Sequence, residues 1–161
     1  MADSYLIYLD VCCLNRPFDD WRQDRIRLEG QTILDIFQRF YSEEWKLVSS
    51  EAIEAELNRM VNLDKLDRIR KLLQVAENKI ILTDEIDKRS QEIEKLGFGL
   101  YDSFHIACAE TAKVDVLLTT DDRLLKKAIK YSHLLKVKLD NPVTWLMNTF
   151  VLKGNNNNDT N

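Results

Sequence analysis

YLIYLDVCCLNRPFDD occupies residues 5–20, and its first six residues, Tyr5 to Asp10, run apolar and then stop on one carboxylate. A strand with no polar alternation is buried on both faces, as central strands of parallel sheets are. An acid at the end of such a strand has two readings. Asp10 is ordinary turn chemistry, or it is a site residue delivered to the carboxyl edge of the sheet. The rest of the chain has to decide between them.

Outward from this strand, apolar residues recur at helical spacing through Ile26, Gly30, Ile33, Ile36, Phe37 and Phe40, predicting a long helix from Trp21 to Tyr41. WKLVSS (45–50) reads as a second strand, EAIEAELNRM (51–60) as a helix, and a further helix covers roughly 64–77. KIILT (79–83) is a third strand, and Thr83 or Asp84 caps a helix running to Leu96. After GFG (97–99) come the helix LYDSFHIACAETA, the strand VDVLLTT (114–120), the helix DDRLLKKAIKYS and the short strand VKLD (137–140). Pro142 opens a last helix, PVTWLMNTF. Alternating strands and helices predict an α/β/α sandwich around a mostly parallel sheet. One domain is expected over residues 1–153, with a disordered polar tail at 154–161.

Composition narrows the function classes. The 161 residues are 45% hydrophobic and 31% charged, with no apolar run near the ~20 residues of a membrane span, so a cytoplasmic protein is expected. Three cysteines, two of them adjacent (Cys12 and Cys13), form no disulfide framework and read as small buried apolar side chains. The net charge of −4 argues against broad wrapping of nucleic acid but leaves room for a local site where a metal offsets phosphate charge. Arg16, Arg22, Arg25 and Arg27, and later Lys126, Lys127 and Lys130, read as solvated helix faces. Trp21 reads first as a packing anchor, with stacking on a single strand as the competing role.

Acids recur at the predicted strand ends. Asp10 follows the first strand, Asp121 and Asp122 the fourth, and Asp102 opens the helix after the glycine-rich break. In EAIEAEL three glutamates compete. At about 100° per residue, Glu56 lies about 60° from the core-facing Ile53, Glu54 about 100° and Glu51 about 160°, so Glu56 leans furthest toward the sheet. Singly, Asp102 and Asp121 are good helix N-caps. Together, carboxylates from four segments repel one another and raise each other's pKa, and hard oxygen ligands of this kind suit Mg²⁺ or Mn²⁺.

The ordered segments YLIYLDVCCLNRPF, LVSSEAIEAEL, LYDSFHIACAE, VLLTTDDRLLKKA and VKLDNPVTWL resemble a PIN-domain nuclease, and in particular the VapC-like ribonuclease toxins of type II toxin–antitoxin pairs. The resemblance spans about residues 5 to 150. It implies a three-layer fold and Mg²⁺- or Mn²⁺-dependent RNA cleavage, with Asp10, Glu56, Asp102 and Asp121 as catalytic metal ligands. It also implies an antitoxin partner and suggests a homodimer. Asp10 is followed by Val-Cys-Cys, which lacks the hydroxyl common at this point of the family, and Asn15 is a candidate for polar support instead. Asp122 doubles Asp121 and leaves the fourth acid ambiguous. His105, one turn after Asp102, is a candidate acid–base residue that the resemblance does not require, and His133 is expected at the surface. A dehalogenase-type phosphatase would need a second aspartate where Cys12 stands, and a receiver domain would need paired acids after the first strand. The competing class is a catalytically idle PIN-like module that binds RNA or a partner.

Overall fold

The computed structural model describes residues 4–158, with side chains described for residues 4–151. Its five strands are β1 (Leu6–Leu9), β2 (Lys46–Ser50), β3 (Asn78–Ile80), β4 (Val116–Leu118) and β5 (Leu139–Asp140). They pair in parallel in the order β3-β2-β1-β4-β5. The helices are α1 (Val11–Asn15), α2 (Asp24–Tyr41), α3 (Glu51–Leu57), α4 (Leu63–Leu73), α5 (Asp84–Lys95), α6 (Leu100–Ala112), α7 (Asp122–Lys130) and α8 (Pro142–Asn158), with a 3₁₀ turn at Arg16–Phe18. This is the expected α/β/α architecture.

β1 is central because it has no polar face: Ile7, Tyr8 and Leu9 are all fully buried. From β1 the chain steps outward to β2 and β3, then crosses back to β4 on the other side of β1 and continues to β5. The carboxyl ends of β1 and β4 therefore flank the point where the winding reverses, which is where such sheets leave a crevice. Leu9 and Leu118 are register partners, and the Asp10 amide donates to the Leu118 carbonyl at 3.2 Å. Asp10 and Thr119 thus leave the sheet side by side.

Helices cover both faces. Ile33, Ile36 and Phe37 of α2 are buried where it packs on β2 and α8, and Ile106 to Ala109 of α6 are buried over β2, β3 and β4. At the amino-terminal end of the sheet, Tyr5, Trp45 and Trp145 meet edge to face at 5.3–5.4 Å between ring centroids. Burying each large apolar side chain contributes about 1.5–3 kcal/mol, so the end of the sheet remote from the acids is the rigid end.

Local differences from the expectation have local causes. β3, β4 and β5 are shorter than predicted: after β4, Thr119 and Thr120 leave the ladder but stay buried, whereas after β3, Ile81 and Leu82 are exposed. α1 follows β1 directly, with Asp10 as its N-cap, and a five-residue helix is too short to show a period. The long helix starts at Asp24 instead of Trp21. Trp21 is a packing anchor, as expected: its Nε1 donates to the Arg16 carbonyl, and a Cβ on Gly30 would lie 2.7 Å from that nitrogen. α8 continues to Asn158, past the predicted end of the last helix, while the side chains of the expected tail, 154–161, lie outside the described residues. Among the described residues no helix is long and apolar enough to cross a membrane.

Candidate active site

Asp10 is 5% exposed and caps α1, its Oδ1 accepting the Cys13 amide at 3.0 Å and the Cys12 thiol at 2.8 Å. Asp10 is therefore a helix cap standing at the carboxyl edge of the sheet. Burial, then the neighbouring Cys12, push its carboxyl well above the ordinary carboxylate range, against hydrogen bonds from Thr119 and Cys13. Cys12 corrects the expectation of two inert thiols. Cys13 is fully buried, but the Cys12 sulfur touches Asp10, the Thr119 hydroxyl at 3.4 Å and the Thr120 amide at 3.4 Å. The thiol occupies the supporting position that the sequence assigned to a missing hydroxyl. Asn15 does not take that place, since its buried Oδ1 has no hydrogen-bond partner.

Glu56 is the glutamate that reaches the cleft. Its Oε2 lies 3.0 Å from His105 Nε2, whereas Glu51 accepts the Leu82 amide at 2.8 Å, away toward α5. Behind His105 stands a buried relay: Nδ1 is 2.7 Å from the Tyr8 hydroxyl, which is 2.6 Å from Ser50 Oγ. Ser50 in turn caps α3 by accepting the Ile53 amide at 3.1 Å. A carboxylate can only accept, so His105 Nε2 donates to Glu56; with the proton on Nε2, Nδ1 accepts from Tyr8, which then accepts from Ser50. One direction of donors satisfies every atom. Burial raises the Tyr8 phenol well above its ordinary value and keeps that donor protonated.

Asp102 departs from the capping expectation. Gly99 is the N-cap of α6, and Asp102 sits in the first turn, half-buried, accepting no hydrogen bond from any described residue. Its carboxyl is raised first by burial and then by the charges of Asp121 and Glu56, while His105 opposes the shift. Asp121 and Glu56 are therefore near enough for their charges to act on Asp102.

The doubled acid is resolved by its partners. Asp121 caps α7 by accepting the Arg123 and Leu124 amides at 2.9 and 3.2 Å, and its own amide donates to Thr119 Oγ1 at 3.1 Å. Asp122 is exposed and held bidentately by Arg25 at 2.7 and 2.8 Å, which lowers its pKa. Asp121, also exposed, has no ion pair among the described residues, whereas Asp122 is committed to α2.

The donor set fits a hard divalent cation. Among the described residues, the one group of three ligand atoms within 4.8 Å is Asp10, Cys12 and Cys13, and burial raises the Cys13 thiol, which disfavours it as a ligand. The four acids stand further apart, as mutually repelling carboxylates do. A hydrated Mg²⁺ needs only one or two of them directly and reaches the rest through water.

This geometry predicts an effect on stability. Asp10 and Asp102 have folded pKa values above their unfolded value of about 3.9. Their penalty on stability is absent below that value, grows as pH rises through it and is complete above the folded pKa. Asn is an equally good cap and leaves Oδ1 to accept from Cys13. Without divalent metal, Asp10→Asn and Asp102→Asn should therefore raise stability at neutral pH by about 1 kcal/mol, one pKa unit corresponding to about 1.4. The gain should fade in acid. Thermal melts in EDTA at neutral and acidic pH check this, and lower melting of both variants would show that the two charges do not destabilise the metal-free fold.

Sequence reading missed Tyr8 and Ser50 as site supports. The available signal was a tyrosine two residues before Asp10 in an otherwise aliphatic strand, with a histidine one turn after Asp102. His133 is exposed, as expected.

With that geometry in place, comparisons with known proteins are informative. A sequence profile described as PIN domain matches residues 7–130. No curated protein matches the chain. Among solved structures, the chain is similar to one in VapBC2 from Rickettsia felis bound to a DNA fragment from the promoter, with 14% identity, TM-score 0.53, and 84% of this chain and 98% of that one covered. It is also similar to a chain of VapBC-1 from nontypeable Haemophilus influenzae, with 14% identity, TM-score 0.53, and 85% and 98% covered. A third is PAE2754 from Pyrobaculum aerophilum, with 16% identity, TM-score 0.50, and 93% and 99% covered. At these identities the likeness is one of fold.

Proposed function

The chain belongs to the PIN-domain family, a nuclease fold, and from that premise we propose that it is a metal-dependent endoribonuclease and the toxin of a toxin–antitoxin pair. The observation that carries the reading is Asp102, a half-buried carboxylate with no hydrogen bond, raised by burial and by Asp121 and Glu56. A divalent cation would offset the charge that burial and these neighbours disfavour. The VapBC structures with the same fold support the toxin assignment and a small protein partner. A cytoplasmic location, a homodimer and a single domain over residues 1–153 belong to the same proposal.

In this mechanism Asp10, Glu56, Asp102 and Asp121 would hold Mg²⁺ or Mn²⁺. The cation supplies charge that makes water a better nucleophile near neutral pH and offsets charge building on the phosphodiester. The protein's part is positional. The Cys12 thiol and Cys13 amide fix Asp10, the α7 amides fix Asp121, and His105 fixes Glu56. Water adds at phosphorus, one P–O bond breaks, and the departing oxygen takes a proton. An antitoxin would silence the cleft by placing an Arg or Lys among the acids.

Purified protein should cleave single-stranded oligoribonucleotide with Mg²⁺ or Mn²⁺ and stop in EDTA. Cleavage that ignores EDTA rules out the metal mechanism. Absence of cleavage in every metal, together with no measurable Mn²⁺ binding, would favour the idle module.

His105 gives a further prediction. His105→Leu keeps bulk but frees Glu56, and should cost about 10- to 100-fold in Mn²⁺ affinity and in cleavage, the usual effect of losing a group that orients a ligand. His105→Gln can still donate to Glu56 and should recover much of both, whereas His105→Asn reaches only toward Tyr8 and should not. Equal losses for Gln and Asn would show that the residue serves only packing.

A further inference from the structure

One cationic feature makes no ion pair among the described residues. On α7, Arg123, Lys126, Lys127 and Lys130 fall within an arc of about 100°, opposite the buried Leu124 and Ala128. With Leu96 and Tyr131 they line a groove of about 370 Å³. Most cations elsewhere are ion-paired: Arg16 and Arg25 on Glu29, Lys65 on Asp19, Arg89 on Glu110. Among the described residues none of the four α7 cations makes an ion pair, although Asp122 feels the charge of Lys126. Lys127 alone is tied down, donating to the Gly97 carbonyl and lying 5.7 Å from the Phe98 ring centroid. In a chain of net charge −4, this is a local excess of positive charge.

The groove's two walls lead to the acids. α7 is capped by Asp121, two residues before Arg123, and the Gly97–Phe98 segment runs into α6 and Asp102. Its aromatic edge is Tyr131, whose ring lies 5.2 Å from Lys130 Nζ and 6.1 Å from the Phe98 ring. A polyanion approaching clustered carboxylates is repelled over roughly a Debye length of about 8 Å, so a nuclease cleft needs positive charge on its approach.

We propose that this groove is the track for the phosphate backbone of single-stranded RNA on one side of the cleft. Arg123, Lys126 and Lys130 meet phosphates and Tyr131 offers a stacking face. Arg123 to Lys130 spans about 10 Å of helix, enough for the cations to meet successive phosphates. A half-buried aromatic beside cations that make no ion pair suits a flexible single strand. The inference rests on the ribonuclease reading and names where its substrate lies.

The test is the salt dependence of binding of a fluorescein-labelled single-stranded oligoribonucleotide, measured by anisotropy. The full-length protein carries Asp10→Asn, which removes cleavage and one repelling charge. Each phosphate contact contributes about 0.7 to the log–log slope for a single strand, so Arg123→Gln/Lys126→Gln/Lys130→Gln should flatten it by about 2. Between 50 and 200 mM salt, the parent should then lose about 16-fold more affinity than the variant, from the same slope. Lys127 is left alone because it holds Gly97. The control, Lys46→Gln/Arg68→Gln/Lys71→Gln, removes equal charge from ion-paired positions and should leave the slope unchanged. An unchanged slope in the α7 variant, an equal fall in the control, or no RNA binding by the parent overturns the groove. An acidic protein segment is then the occupant to consider. Wild-type cleavage is scored separately: cleavage with an unchanged slope overturns the groove alone, and a flattened slope without cleavage supports the groove while sinking the nuclease reading.

Discussion

Asp10→Asn is expected to lower metal-dependent RNA cleavage by roughly a thousandfold or more, a loss of about 4 kcal/mol in transition-state stabilisation. The substitution is nearly isosteric. Asn caps helices as well as Asp does, and Oδ1 remains to accept the Cys13 amide, so α1 should keep its place. What goes is the negative charge that a divalent cation requires. The position is also central, beside β4 at the point where the winding of the sheet reverses. A variant that folds, melts no lower than the parent in EDTA and yet fails to cleave would separate chemistry from structure. Retention of more than a tenth of the activity would mean that Asp10 is a cap and nothing more.

The second large effect is a contrast between neighbours. Asp121→Asn should cost about 100-fold or more, an effect in the range seen when one charge-stabilising group is lost from a site. Asp122→Asn should change activity by no more than about threefold, since its carboxylate is exposed and occupied by Arg25. Asp121 also caps α7, but Asn retains that function. The difference is therefore assigned to charge in the cleft. Steady-state cleavage rates for the two variants, side by side, are sufficient. Equal losses or the reverse order would put the wrong acid in the site.

The sheet was legible because its signals are local. β1 has no polar face, the strand–helix alternation repeats with short connections, and Thr83 caps α5 as expected. Glu56 was legible too, because a helical wheel ranks neighbours on one helix without long-range information. Other features depend on residues far apart in sequence. The His105–Tyr8 bond joins positions separated by 97 residues, and Arg25 selects Asp122 across the same separation. Glu29 gives no local sign that it is buried; Arg16, Arg25 and Asn141 satisfy it once α2, the 3₁₀ turn and the segment before α8 meet. Cys12 was misread because a thiol after a buried strand looks apolar until the Asp10 carboxylate turns back onto it. Asp102 is the opposite case. Its sequence suggested a cap, and only the structure shows Gly99 in that position and the carboxylate without a donor.

The most direct measurement is the shift in melting temperature caused by Mg²⁺ at neutral pH, for the wild type and for Asp10→Asn and Asp102→Asn. If the four acids form one cation site, Mg²⁺ at a hundredfold excess over its dissociation constant should stabilise the wild type by about 2.7 kcal/mol. The same Mg²⁺ should stabilise each variant far less, although both start from a higher melting temperature in EDTA. A wild type that Mg²⁺ leaves unmoved, or variants that shift as much as the wild type, would contradict a shared cation site at Asp10, Glu56, Asp102 and Asp121.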